Sequence, residues 1–295
     1  MGQYSISELE QLSGVKAHTI RIWEQRYGLL QPQRTSTNIR FYDDAALRHL
    51  LNVATLTSRG YRISKVVAMP LAERTRAVLA CCDDAHDHAA RVNALVAAMV
   101  AFDEPQLHVL FDAATASLGF EQMMLRVAYP LLQRIGISWL AGSINPAQEH
   151  LLSHLLRQKM LAATDALGPI MLRPGQGWVL FLPEGELHEL ALLFMNYGLR
   201  RRGHHTLYLG QNQPLDGLQA VCETYRPHAI VVVLTASPVP AEVPALAAAL
   251  LALRPAGELL VLYGSLAKFT APQLPPGCTV PADMSAFLAL IPELA

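Results

Sequence analysis

The stretch SISELEQLSGVKAHTIRIWEQRYGLL, residues 5–30, decides how the chain begins to fold. Ser5 stands three residues ahead of Glu8, the spacing at which the serine side chain accepts from the first helical turn while the glutamate reaches back to the Ser5 N–H. Ile6, Leu9 and Leu12 follow at helical spacing and form an inward stripe. Ser13-Gly14-Val15 supplies a tight turn, and a second helix over 16–26 buries Val15, Ile20, Trp23 and Tyr27 while Lys16, His18, Thr19 and Arg21 face outward. Two helices so joined make a helix-turn-helix. The outward edge of the second offers donors and a threonine methyl to a groove about 12 Å wide, and its N-terminal dipole favours phosphate.

Beyond this pair, Gly28 and Pro32 break the helical pattern, and residues 34–42 place β-branched and aromatic side chains around a polar tip. That pattern predicts a β-ribbon wing on which Arg34, Arg40 and the Tyr42 hydroxyl meet backbone phosphates, contacts that position a protein without reading sequence. Asp43 or Asp44 then caps a helix carrying Leu47, Leu50, Leu51 and Leu56, with Gly60 at its end. Residues 1–75 hold ten Lys and Arg against six Asp and Glu, although the whole chain has a net charge of -1. A basic head on an acidic body suits a polyanion that meets the head alone.

The remainder separates by pattern. Residues 71–167 are rich in Ala and Leu and read as a helical bundle. Gly168, Pro169, Pro174, Gly175 and Gly177 punctuate a linker. Residues 176–295 then alternate short apolar runs, 178–182, 206–209, 230–234 and 259–263, with helical stretches, and 278–280 reads as an edge. That alternation predicts a doubly wound, flavodoxin-like parallel sheet. The chain is thus read as multidomain: an all-α winged helix-turn-helix head (1–70), a helical bundle (71–167) and an α/β unit (176–295). A hydrophobic content of 52% against 16% charged residues excludes a disordered chain. The first ten residues show no leader pattern and no run reaches membrane length, so a cytoplasmic protein without membrane partners is expected. Cys81, Cys82, Cys222 and Cys278 lack any paired ligand spacing and read as reduced thiols.

Two further clusters carry chemistry. Trp139-Leu140-Ala141-Gly142 precedes Glu149-His150, near the start of a helix opened by Asn145-Pro146. Glu186-Leu187-His188-Glu189 follows the first strand of the α/β unit, at the carboxyl edge where such sheets bind ligands. A neutral imidazole there can ligate a cobalt ion if a carboxylate holds its other nitrogen, and both Glu186 and Glu189 are candidates for that carboxylate. His204-His205 reads as a solvated turn, and Met123, Met124, Met160 and Met195 as packing residues.

The residues Ile6, Leu9, Ser13-Gly14, Thr19-Ile20-Arg21, Trp23-Glu24, Tyr27-Gly28-Leu29, Pro32, Arg34, Arg40 and Tyr42 resemble the MerR-family DNA-binding domain over roughly the first 70 positions. From about residue 72 onward the chain resembles the helical and cobalamin-binding domains of methionine synthase and of the adenosylcobalamin-dependent light-responsive repressors. The resemblance implies a sequence-specific transcriptional regulator that binds double-stranded promoter DNA as a homodimer or higher oligomer, with adenosylcobalamin as its cofactor. By the same likeness His188 is the lower axial ligand of cobalt, while Trp139, Glu149 and His150 lie over the upper face. The chain departs from the family pattern at Ala191 and Ser265, where glycines are usual, at the loosely matching Thr235-Ala236-Ser237, and at Leu140, where photoreceptors of this type place a second histidine. Two alternatives therefore stand beside the cobalamin-controlled regulator: a sensory fold that has lost its cofactor and serves assembly or partner binding, and a corrinoid methyl carrier. The last fits poorly, because a carrier needs no DNA-binding head and no zinc-type cluster or catalytic triad is visible.

Overall fold

The computed structural model describes residues 2–35, 37–82, 87–140, 144–171, 177–253 and 259–294, the side chains of 137–140 excepted. The chain divides into two compact units, 1–154 and 155–295.

In the first unit, α1 (Ile6–Ser13) starts at an Ser5 cap that accepts from Glu8 N, with the Glu8 carboxylate returning to Ser5 N, and stops at Gly14 in the left-handed region (φ 74°). After the turn, α2 (Ala17–Tyr27) buries Ile20 and leaves Val15, Trp23 and Tyr27 half-buried. The wing forms from β1 (Gln33–Arg34) and β2 (Arg40–Phe41), antiparallel with Arg34 opposite Arg40. Tyr4 pairs with Tyr42 through two 2.8 Å backbone hydrogen bonds and so fastens the N-terminal segment beside the wing. Of the two expected caps, Asp43 is the one that starts α3 (Asp44–Ser58), accepting from Ala46 N.

Helices continue through α4 (Ile63–Ala68), α5 (Leu71–Cys82), α6 (His88–Val100), α7 (Glu104–Leu118) and α8 (Phe120–Met123). A π-helical segment, Met124–Ala128, joins α8 to α9 (Tyr129–Leu140), and α10 (Pro146–Asp165) crosses the division between the units. Small and branched apolar residues make α6 a central helix, buried over most of its length, with α3, α5 and α7 packed around it. Polar groups lace the same contacts: Arg134 Nη1 donates to the Leu12 carbonyl (3.2 Å) and to Asn93 Oδ1 (2.7 Å), and Asn93 Nδ2 donates to Thr55 Oγ1 (3.1 Å). Among the described residues, no helix is long and apolar enough to cross a membrane.

The second unit is the expected α/β fold. Five parallel strands, β3 (Trp178–Pro183), β4 (Thr206–Gln213), β5 (Ala229–Val233), β6 (Leu259–Tyr263) and β7 (Cys278–Thr279), lie in the order β4-β3-β5-β6-β7. The crossovers are α11 (Leu190–Arg201), α12 (Leu218–Tyr225), α13 (Val243–Leu253) and α14 (Ser265–Thr270), with α15 (Met284–Ala289) packed on α11. β3 and β5 are buried throughout, because unbroken apolar runs such as WVLFLP and AIVVV suit strands covered on both faces. β4 runs four residues beyond its apolar stretch: at the sheet edge, Gly210 (φ 79°) and Asn212 (φ 55°) absorb the register shifts against β3 while the polar end stays wet. The strand order reverses at β3, which creates a crevice between the loops that follow β3 and β5.

Candidate functional site

On the head, Lys16, His18 and Arg21 are exposed and Thr19 is half-buried along one edge of α2. The start of α2 already holds an anion. Glu10 from α1 accepts from Ala17 N (2.9 Å) and from Lys16 Nζ (3.0 Å), and these two bonds, the backbone one first, lower its pKa. The N–H groups at the start of α2 are therefore less available to a second anion than the side chains along its exposed edge. In the wing, Arg34 Nη1 donates to the Asn38 carbonyl (3.3 Å) and to Asn38 Oδ1 (2.7 Å), which braces the tip, and Arg40 is exposed. Two like charges directly across an antiparallel pair repel each other, and an anion laid along the wing relieves that repulsion.

Tyr42 corrects the sequence reading. It is 1% exposed, and its hydroxyl donates to Glu24 Oε1 at 2.6 Å, so it joins the head's core to α2 in place of facing a phosphate. Burial, followed by the Glu24 contact, pushes its pKa up. The physical reason lies in Tyr4, whose backbone pairing draws residue 42 inward.

In the α/β unit, the loop leaving β3 is organised by one buried carboxylate. Glu186, 0% exposed, accepts at Oε2 from the backbone N–H groups of Thr235 (2.7 Å), Ala236 (2.6 Å) and Ser237 (3.1 Å), all in the loop after β5. At Oε1 it accepts from Leu187 N and His188 N (3.0 Å each) and from His188 Nδ1 (2.6 Å). Burial alone raises a carboxyl pKa, but the N–H groups of Ala236, His188 and Ser237 and the His188 ring outweigh it and hold Glu186 at about 2. An ionised carboxylate only accepts, so His188 Nδ1 carries a proton, and in the neutral imidazole the lone pair then lies at Nε2. The His188 side chain is 61% exposed. Of the two candidate carboxylates, then, Glu186 holds the imidazole, while Glu189 pairs with Arg157.

Other groups fix the same loop: Asn212 Oδ1 accepts from Gly185 N (2.8 Å), and Gln211 Nε2 donates to the Leu187 carbonyl (2.7 Å). After β6, Gly264 (φ 109°) passes so close to β5 that a Cβ there would stand 2.3 Å from the Leu234 carbonyl oxygen. Ser265 next to it donates to the Thr235 carbonyl (2.9 Å). Sequence reasoning missed Glu10 as the α2 cap and the three N–H groups that receive Glu186; the strand order alone would have brought the second set into view.

In the first unit, Glu149 and His150 lie in the first two turns of α10, with His150 Nδ1 3.1 Å from Glu149 Oε2. The side chain of Trp139, and residues 141–143 with Gly142, lie outside the described residues. Among the described residues, no three or more His, Cys, Asp and Glu side chains gather to hold a metal ion.

Residues 4–69 match the family model described as MerR HTH family regulatory protein, and residues 91–163 the model described as B12 binding domain. With the fold, these matches define a DNA-binding transcriptional regulator that carries a cobalamin-type sensory module. Over 230 residues the chain is 33% identical to the HTH-type transcriptional repressor CarH of Myxococcus xanthus, which covers 76% of this chain and 76% of that protein. It is 28% identical to the repressor CarA of the same organism over 228 residues, 76% of this chain and 74% of that one. The chain belongs to the family of MerR-type regulators that includes CarH. Among solved structures, the monomethylamine corrinoid protein of Methanosarcina barkeri is similar in fold, with a TM-score of 0.53 and 13% identity over 65% of this chain and 92% of that one.

Proposed function

We propose that this regulator reads promoter DNA through Lys16, His18, Thr19 and Arg21 of α2, with Arg34 and Arg40 on flanking phosphates, and that cobalamin held at His188 controls DNA binding or assembly. Homodimers or higher oligomers are the acting form, since a two-fold protein suits a pseudo-palindromic site. The head (1–70), bundle (71–167) and α/β unit (176–295) divide these tasks, and the protein regulates without catalysing a reaction.

The observation that carries the cofactor reading is the Glu186 clamp, which engages His188 Nδ1 and leaves the rest of a largely exposed imidazole available to a ligand. The donor set fits a corrinoid: one imidazole backed by a buried carboxylate, beside a Gly264 turn where backbone approaches backbone. When bound, the corrinoid would supply a cobalt centre, which His188 would hold through its ring nitrogen. Trp139, Glu149 and His150 are the further cofactor contacts that the family likeness implies.

The test is the absorbance spectrum and gel-filtration retention of adenosylcobalamin on the full chain, wild type against His188→Ala. Wild type is expected to retain the cofactor with a histidine-ligated spectrum and the variant to lose that spectrum. Equal spectra would remove His188 from the site. The competing reading, a cofactor-free assembly module, draws on Ala191 and on Ser265, whose hydroxyl already ties two of the loops together; in that case neither protein retains corrinoid.

A further inference from the structure

A cavity of about 440 Å³ lies between α3, α5, α6 and α7 of the first unit, and none of the residues assigned above to DNA or corrinoid lines it. Its size falls within the range of small-molecule sites. Ala94, Ala97, Ala98 and Ala101 keep one wall apolar and leave the space open. His49 and Asn52 of α3 and Gln106 of α7 provide polar lining.

Behind His49 stands Arg74 of α5, only 6% exposed, with Nη1 3.1 Å from His49 Nε2 and 3.2 Å from Nδ1. Leu71, Thr75, Val78 and Leu79 of α5 line the cavity, and Arg74 lies beside that stripe, reaching the site through its contact with the lining residue His49. Arg74 Nε is buried without a hydrogen-bond partner, and no carboxylate pairs with this guanidinium among the described residues. Gln106 Nε2 is likewise buried and unpartnered. Arginine stays charged in proteins, and a buried charge is ordinarily paired. His49 cannot supply the missing charge, because an imidazole is either neutral or cationic and offers Arg74 only a ring nitrogen. Asp103 also lines the cavity, but its Oδ1 caps α7 through Gln106 N at 3.1 Å. Arg48 adds a further cation to the lining.

We propose that this cavity is a binding site for a small carboxylate with an aliphatic body, the anion meeting Arg74 and Gln106 and the body lying against the α6 alanines. Because α3 belongs to the DNA-binding head, the site gives the regulator an input distinct from the corrinoid.

The test uses the full chain and hexanoate as the probe, with hexan-1-ol as its neutral counterpart and inorganic phosphate as a bare anion, read by isothermal titration and ligand-observed NMR. Saturable hexanoate binding with a Kd on the order of 1 mM is expected. Hexan-1-ol should bind at least ~10-fold more weakly, Arg74→Met should weaken hexanoate by ~10-fold or more, and phosphate alone should not bind. Ala98→Leu keeps Arg74 but fills the cavity, and should abolish binding even if Arg74→Met fails to fold. Absence of saturable hexanoate binding to wild type, equal affinity for the alcohol, tighter binding of phosphate, or undiminished binding to folded Arg74→Met or to Ala98→Leu would each overturn the proposal.

Discussion

Replacing Glu186 by Gln tests the arrangement on which the α/β site depends. The carboxylate is fully buried and accepts six hydrogen bonds, five from backbone N–H groups and one from His188. Its pKa falls from an ordinary 4.5 to about 2, which corresponds to roughly 3 kcal/mol of folding free energy at neutral pH. Because the folded value lies below the unfolded one, that contribution is complete above about pH 5, drops to under half near pH 3, and vanishes as pH falls through 2. A glutamine must turn its NH2 toward one of the two oxygen positions. At the Oε2 position it would oppose three fixed backbone donors; at the Oε1 position it opposes two, and the His188 ring can adapt by accepting at Nδ1. That second arrangement moves the imidazole proton to Nε2, where a cobalt ion needs a lone pair. Glu186→Gln is therefore expected to lose about 2–4 kcal/mol at pH 7 and to lose histidine ligation of added cobalamin. Urea unfolding of both proteins between pH 7 and 3 measures the first effect, and the corrinoid absorbance spectrum the second. A variant that unfolds at the wild-type midpoint at pH 7, or whose deficit is unchanged at pH 3, would refute the clamp.

On the head, Arg21→Ala should weaken operator binding and alter sequence preference, whereas Arg40→Ala should weaken all DNA similarly and reduce the salt slope by about 1; titrations on operator and scrambled duplexes at several salt concentrations distinguish them, and uniform loss from Arg21→Ala would contradict base reading. Tyr42→Phe removes the hydrogen bond to Glu24 and should cost about 1 kcal/mol of stability in thermal or urea unfolding while leaving the salt slope unchanged; a lower slope would return Tyr42 to the phosphate-contacting set. Gly264→Ala forces a Cβ against the Leu234 carbonyl at a positive φ and should destabilise the α/β unit by about 2 kcal/mol or more; an unchanged urea midpoint would show that the turn relaxes freely.

What the sequence exposed and what it hid follow the range of the interactions. The Ser5–Glu8 capping box spans three residues and the apolar runs of β3, β5 and β6 are continuous, so periodicity and local chemistry reveal both. Tyr42 is different. Its aromatic ring and position after Arg40 suit a wing, but its inward turn depends on backbone pairing with Tyr4 and on Glu24, 18 residues away, neither of which local pattern encodes. Glu10 belongs to the same class, because its reach across the helix-turn-helix turn to Ala17 N depends on the angle between two helices. The far end of β4 escaped for another reason: its polar residues read as a loop, and only the bulges at Gly210 and Asn212 let them continue as strand.

The α/β site shows why sequence marked a candidate ligand position but left its chemistry open. Strand order predicts that the loops after β3 and β5 face one crevice, and Glu186-Leu187-His188-Glu189 falls in one of those loops. Between Glu186 and Glu189 the spacing alone does not choose, since either carboxylate is near enough along the chain to reach an imidazole. Tertiary contacts choose. Three N–H groups about fifty residues downstream capture one oxygen of Glu186, which places the other against His188 Nδ1, and Arg157 draws Glu189 away. The same carboxylate thus ties the crevice loops together and sets the imidazole tautomer, so any ligand that takes Nε2 acts on a group braced by both loops. Disturbing the β5 loop should therefore disturb the histidine without a change in the histidine's own loop.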